Sequence, residues 1–244
     1  MGIKERQERD RAAVRRAILD AARDLFVAEG YQNVSIRKIA ERIEYSPAAI
    51  YSYFPSKDDI FFALADEGFH LLGGAQEPER QAHLRSLAPL DRVRAIFWRL
   101  YEFSRQHPQY FALMFVDRSV PRISREYERF RFAREMKQHI IAEIAACIDA
   151  GDLPSTVDPR AAMRALSAGL VGVAVMRLSE RIAADEDADK IAANALDVTI
   201  AGLKSGVTLQ SIATAKCPLD DGAENLENPE NRDNRRHLTN VETR

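Results

Sequence analysis

Apolar residues recur every three to four positions along most of this chain, the spacing of amphipathic helices, and no stretch alternates with the period of a strand. Val14, Ile18, Ala22 and Leu25 predict a helix over 4–29, closed by Gly30 as a C-cap. Ile36, Ile39, Ala40 and Ile43 form the inner face of a second, short helix. Ile50 and Phe54, four apart, form that of a third. Ile60, Phe61, Leu64, Gly68 and Leu71 share a face of a helix from Lys57 to about His83, with Gly73-Gly74 and Pro78 as places to end or kink it. Leu90, Val93, Phe97, Leu100 and Ser104 make one stripe over 89–106, and Trp98 with Tyr101 make a second, so this helix is buried or lines a cavity. His107-Pro108 breaks it before a short apolar helix over 109–116. Three long helices follow, over 121–150, from Asp158-Pro159 to about Ala184, and over 189–205. The fold class is all-α.

Residues 35–57, SIRKIAERIEYSPAAIYSYFPSK, read as a helix-turn-helix. Ser35 caps one helix through its hydroxyl. Glu44 and Tyr45 make the turn. Ser46 with Pro47 starts the next helix, a capping hydroxyl followed by a proline whose missing N–H is not needed there. Pro55 stops it. With Ile50 and Phe54 inward, Ala48, Ala49, Tyr51, Ser52 and Tyr53 are left outside. Small residues at the front of the helix let its backbone approach base edges, while tyrosines, serines and flanking cations such as Arg37 and Lys57 reach phosphates, which position without specifying. A three-helix core with a capped turn also serves in proteins that never touch DNA.

Residues 12–64 resemble the DNA-binding domain of the TetR family of bacterial one-component regulators. The resemblance is carried by Leu25-Phe26 with Gly30, Ser35 with Ile39-Ala40, then Ile50-Tyr51-Ser52-Tyr53-Phe54, Lys57 and Ile60. The family usually has glycine in the turn where this chain has Glu44, so either Glu44 is strained at positive φ or the turn is built differently. The resemblance implies a DNA-binding domain over 1–56, with its helix-turn-helix at about 35–54. A helical ligand-binding and dimerisation domain follows over 57–206. The DNA-contacting residues would be Ser35, Arg37, Ser46, Pro47, Ala48, Ala49, Tyr51, Ser52, Tyr53 and Lys57.

The net charge of −2 over 244 residues argues against unspecific coating of DNA but leaves room for a local reading head. Within residues 1–16, Lys4, Arg6, Arg9, Arg11, Arg15 and Arg16 outnumber the acids. They would follow a DNA backbone, or form a solvated mixed-charge face. Cys147 and Cys217 give neither a disulfide framework nor a metal spacing; Cys147 falls on an apolar helix face and reads as core. No cofactor or metal is expected. The N-terminus is charged throughout, and the longest apolar run, 165–176 between Arg164 and Arg177, is short of the roughly 20 residues of a membrane span, so a cytoplasmic location without membrane contact is expected. Residues 207–244 turn polar and asparagine-rich and read as a disordered tail.

By resemblance, the last two long helices pair with their copies in a homodimer, with Ala165, Gly169, Gly172, Met176, Leu196 and Ile200 at the interface. A small-molecule effector would lie among Phe97, Trp98, Tyr101, Phe111, Met114, Phe115, Tyr127 and Phe130, with Arg94 and His139 as polar contacts. Aromatic stripes at helical spacing are equally the mark of plain core. A two-fold dimer suits a palindromic double-stranded DNA operator. The rival readings are an all-helical enzyme and a protein-binding adaptor. The chain lacks the phosphate-loop, zincin and nucleophile-elbow motifs, and Glu67 with His70 is a single Glu-x-x-His where a di-iron site needs two.

Overall fold

The computed structural model describes residues 2–73, 78–121 and 130–209, and within them every regular element is helical. The order is α1 (Ile3–Glu29), a 3-10 turn (Tyr31–Asn33), α2 (Ile36–Arg42), α3 (Pro47–Tyr51), α4 (Lys57–Gly73), α5 (Pro78–Ser86), α6 (Pro89–Gln106) and α7 (Pro108–Phe111). A π-helical turn (Ala112–Val116) continues α7, and α8 (Arg131–Asp149), α9 (Pro159–Leu178) and α10 (Ala188–Lys204) are the last elements of the described residues.

Local chemistry sets most of these boundaries. The Ser35 hydroxyl accepts the N–H of Lys38 at 3.3 Å, the Ser46 hydroxyl that of Ala49 at 3.1 Å, and the Ser56 hydroxyl that of Asp59 at 3.1 Å. Asp158 caps α9 ahead of Pro159, and Asp187 caps α10. Gly30 turns at φ 81°, a left-handed value that suits its lack of a side chain. Two helices end earlier than the sequence suggests. α3 stops at Tyr51, with Ser52 and Tyr53 in a turn held by the Ser52 hydroxyl donating to the Ala49 carbonyl at 2.7 Å. α9 stops at Leu178, short of Ala184, because Glu180 takes a left-handed φ of 54°. The helix expected from Lys57 to about His83, with Gly73-Gly74 and Pro78 as places to end or kink it, is described as α4 and α5, and 74–77 between them lie outside the described residues. The segment expected to open α8, 122–129, and the tail with Cys217 lie outside the described residues.

The described residues belong to one compact unit ending at Leu209, with a continuous apolar core from Ile18 to Leu203. α4 is its axis. It packs on α1, α6, α7 and α8. Arg16 of α1 ties it to Glu67 of α4, and Arg177 of α9 donates to the Ser104 carbonyl of α6 at 2.7 Å. α9 as a whole is long and apolar enough to cross a membrane by length and composition, so the limit set by 165–176 was too strict. Its Leu166, Leu170 and Val173 are nevertheless buried, and it packs on α6, α8 and α10. Cys147 is buried in α8, and this burial pushes its thiol pKa up to about 11.

Candidate nucleic-acid interface and effector cavity

The helix-turn-helix is built from α2, the turn and α3. Ile39, Ala40 and Ile50 are sealed inside, which fixes how α3 leans on α2. The turn closes when the Tyr45 N–H donates to the Ala40 carbonyl at 2.9 Å. Glu44 adopts φ 61°, the left-handed conformation that favours glycine. The turn therefore keeps the geometry a glycine would take, with strain accepted at Glu44.

This packing leaves Ser46, Pro47, Ala48, Tyr51 and Ser52 exposed, with Ala49 and Tyr53 half-buried; Tyr51 is 54% exposed. Ser35 and Arg37 are exposed at α2, Arg37 paired with Glu41 at 3.0 Å. A front of small residues beside a projecting tyrosine is thus presented on one side of α3. The basic residues of α1 contribute differently from a solvated stripe. The Arg11 guanidinium stacks over the Tyr53 ring at 5.4 Å and Arg15 over Phe54 at 5.1 Å, bracing the end of α3.

Lys57 differs from the expectation of a residue reaching out to phosphate. Its ammonium donates to the carbonyls of Tyr31 and Val34 at 2.8 and 2.9 Å and lies over the Tyr31 ring at 4.0 Å. Burial lowers its pKa, partly offset by Asp58. The carbonyls belong to the segment between α1 and α2, where that of Tyr31 also accepts the Val34 N–H at 3.3 Å, so Lys57 works as a strut from α4 into the reading head.

A second site lies among α4, α5, α6, α8, α9 and the π-helical turn: an apolar cavity of about 310 Å³. Phe69 and Leu72 of α4, Phe97 and Leu100 of α6, Phe115, Met136, Ile140 and Met163 form much of its wall. Arg99, Lys137, His139 and Ser167 supply its polar positions. Of the residues expected there, Phe97, Phe115 and His139 line it. Arg94, Trp98 and Tyr101 do not. Arg94 pairs with Asp197 of α10, Trp98 lies in a groove with Ala193 and Leu196, and the Tyr101 hydroxyl donates to Asp189 at 2.8 Å. They belong to the second stripe of α6, which turns toward α10. Phe111 and Phe130 are wholly buried core, and Met114 packs its sulfur against Gly68 of α4. Tyr127 lies outside the described residues. The sequence missed Arg99, one of four arginines on α6 with Arg92, Arg94 and Arg105, and set apart from them only by its place two positions after Phe97.

The proposed dimer surface also divides. Gly172 faces open space and Met176 is exposed, whereas Ala165 and Gly169 are half-buried, Gly169 against Ala195 at 3.7 Å, where it lets α9 and α10 approach. Leu196 and Ile200 are 2% and 4% exposed and point into the chain's own core, so they cannot meet a second copy. The outward face of α10 carries Val198, 71% exposed, and Ala201 instead. Glu67 and His70 make no metal pair: Glu67 is held by Arg16 and His70 stacks on Phe132 at 4.0 Å.

Comparison with known proteins agrees with this geometry. The profile of "Bacterial regulatory proteins, tetR family" matches residues 18–64, and that of "Tetracyclin repressor-like, C-terminal domain" matches 93–199. The HTH-type transcriptional repressor Rv1474c of Mycobacterium tuberculosis is 46% identical over 56 residues, 23% of this chain and 30% of that relative. The chain thus spans less than a third of that protein's length. The nucleoid occlusion factor SlmA of Actinobacillus pleuropneumoniae is 27% identical over 151 residues, 58% of this chain and 69% of the relative. A solved tetR-family regulatory protein from Rhodococcus RHA1 superposes with a TM-score of 0.60 at 22% identity, over 80% of this chain and 97% of that one.

Proposed function

Because the chain belongs to the TetR family of bacterial regulatory proteins, we propose that it is a ligand-responsive transcriptional repressor of the cytoplasm. It binds a palindromic operator as a homodimer and is released by a small molecule. Residues 1–56 read DNA, and 57–206 hold the effector and the partner copy. Ser46, Pro47, Ala48 and Ala49 face base edges in the major groove, while Ser35, Arg37, Tyr51, Ser52 and Tyr53 face phosphates. The open face of α9 and α10, with Gly172, Met176, Val198 and Ala201, receives the second copy.

The observation that carries this reading is the double attachment of α4. Lys57 at its start is bonded into the reading head, and Phe69, Leu72 and Gly73 near its end form cavity wall. A ligand that fits one position of α4 better than another therefore biases the spacing of the two reading heads. Such a switch is worth only the difference in ligand affinity between the two states.

The test is binding of the purified protein to the DNA flanking its own gene, at two salt concentrations, against a shuffled duplex. Specific binding that falls steeply with salt is expected, because phosphate contacts release counterions. Equal affinity for the shuffled duplex, together with no enriched fragment in a genome-wide selection, would sink the reading in favour of a protein-binding adaptor.

A further inference from the structure

The cavity has one hydroxyl among its described lining residues, that of Ser167 on α9. Met163, Ser167 and Val171 follow one another at four-residue intervals, so one face of α9 fronts the cavity while Leu166, Leu170 and Val173 turn into the core. Ser167 is half-buried. Its hydroxyl donates to the Met163 carbonyl, one turn back, at 2.8 Å. The hydrogen is thereby committed, and the oxygen offers the cavity its lone pairs alone, an acceptor and no donor. The basic positions of the wall are occupied differently. Arg99 donates to the Leu71 and Leu72 carbonyls at the end of α4. Lys137 and His139 are exposed to solvent, and His139 has Glu143 at 3.6 Å. The apolar side chains, Phe69, Leu72, Phe97, Phe115, Met136 and Ile140 among them, offer a ligand contact area but no hydrogen bond.

We propose that the effector is an uncharged, largely apolar molecule bearing a hydroxyl, which donates to the Ser167 oxygen. The inference rests on the reading of this cavity as the effector site. A pure hydrocarbon would fill the apolar volume and take the Ser167 oxygen out of water without giving it a new partner. An ionised acid fares worse. A carboxylate has no hydrogen to donate, so it meets Ser167 oxygen to oxygen unless the hydroxyl lets go of the Met163 carbonyl, and its charge leaves water for apolar walls. An alcohol or a phenol meets the acceptor with a donor and lays its apolar body against Phe69 and Leu72 of α4. α9 packs on α6, α8 and α10, so the hydroxyl is held on a wall braced on three sides. The length of the apolar body then decides how hard the ligand presses on α4.

Calorimetric titration of the full chain with 1-octanol, with its isomer 1-methoxyheptane and with octanoate, in the absence of DNA, reads this directly. The ether keeps the size and the oxygen of the alcohol but has no hydrogen to donate. 1-Octanol should bind about 2–10-fold tighter than the ether, the worth of one neutral hydrogen bond, and tighter than octanoate. Ser167→Ala should bring 1-octanol down to the affinity of the ether and leave the ether within about twofold, while Ser167→Thr should restore the preference. Equal binding of alcohol and ether by the wild type would overturn the proposal. So would tighter binding of octanoate, which would make the effector an acid, and so would binding of none of the three. A preference that survives in Ser167→Ala would put the hydroxyl elsewhere and overturn it too. Should Ser167→Ala not fold, Ser167→Cys decides: sulfur is a weak acceptor, so the preference should shrink, and an unchanged preference overturns the proposal. No readout involves DNA, so a failure of operator binding bears on the regulatory reading alone.

Discussion

Both carboxylate oxygens of Glu67 on α4 lie 2.7 and 2.8 Å from one guanidinium nitrogen of Arg16 on α1. The other Arg16 nitrogens hold Asp20. The pair joins the helix that supports the reading head to the helix that walls the cavity. Its side chains are 41% and 32% exposed, so solvent screens it. Glu67→Gln should lower stability by about 0.5–1 kcal/mol, or about 1–4 °C in Tm for a chain of this size. The gap between variant and wild type should close in about 1 M NaCl, where the Debye length is about 3 Å. A gap insensitive to salt would mean that the carboxylate acts by packing.

The reading head offers a contrast between docking and folding. Tyr51→Phe and Ala48→Leu alter only the exposed front of α3, so their Tm should stay within about 1 °C while operator affinity falls. Tyr51→Phe removes one hydroxyl contact and should weaken binding to all sequences by about 2–10-fold. Ala48→Leu should block docking or change which bases are accepted. Lys57→Ala strands the Val34 carbonyl, takes one of two donors from that of Tyr31, and should lower stability by about 1–3 kcal/mol. Melting curves beside anisotropy titrations separate the two classes, and a Lys57→Ala protein of unchanged Tm would refute the strut.

Glu44→Gly is the expected exception to the rule that loop glycines weaken a fold. A side chain held in the left-handed region costs about 1–2 kcal/mol, and the added freedom of glycine in the unfolded chain takes back about 0.4–1 kcal/mol. Denaturant titration should give a variant between neutral and about 1.6 kcal/mol more stable. A clear loss would show that the Glu44 side chain makes a contact that matters.

Val198→Asp and Leu196→Asp, two residues apart on α10, should fail in different ways. The first places a charge on the open face and should shift the sedimenting species from dimer to monomer with the helical signal intact. The second buries an unpaired carboxylate and should unfold the chain. A monomeric wild type would refute the homodimer, and a dimeric Val198→Asp would move the interface elsewhere.

Cys147 supplies a pH test. Its thiol pKa stands at about 11 against an ordinary 9.0, chiefly through burial and then through Asp152 and Glu143. The folded chain therefore keeps a proton that the unfolded chain gives up, so this contribution is intact below pH 9 and lost as pH rises toward 11. Cys147→Ala should lose less stability over that interval than wild type. In the native protein at pH 8 the thiol should also resist iodoacetamide, and it should react at once in denaturant.

The reading head was legible because its determinants are local. Ser35, Ser46 and Pro47 act on backbone groups within three residues, so their effect shows in the sequence itself. The second half was legible only as helices. α6 carries two apolar stripes, and nothing in their spacing says that the one with Phe97 faces the cavity while the one with Trp98 and Tyr101 faces α10. The same ambiguity misled the dimer surface: Leu196 and Ile200 make the stronger stripe, and the stronger stripe turns inward, leaving the outer face to the isolated Val198. Lys57 was misread because its partners are backbone carbonyls, which leave no trace in a pattern of side chains.

The π-helical turn at 112–116 packs one residue more into its circuit than an α-helix would. That surplus lets Met114 meet Gly68 while Phe115 still reaches the cavity. Each residue of an α-helix turns about 100°, so deleting Ala112 or Leu113 would swing Met114 and Phe115 about a quarter-circle away from their present neighbours. Such a chain would keep its caps, its core stripes and its reading head. It would be a regulator without an ear, made deaf by the loss of a single codon.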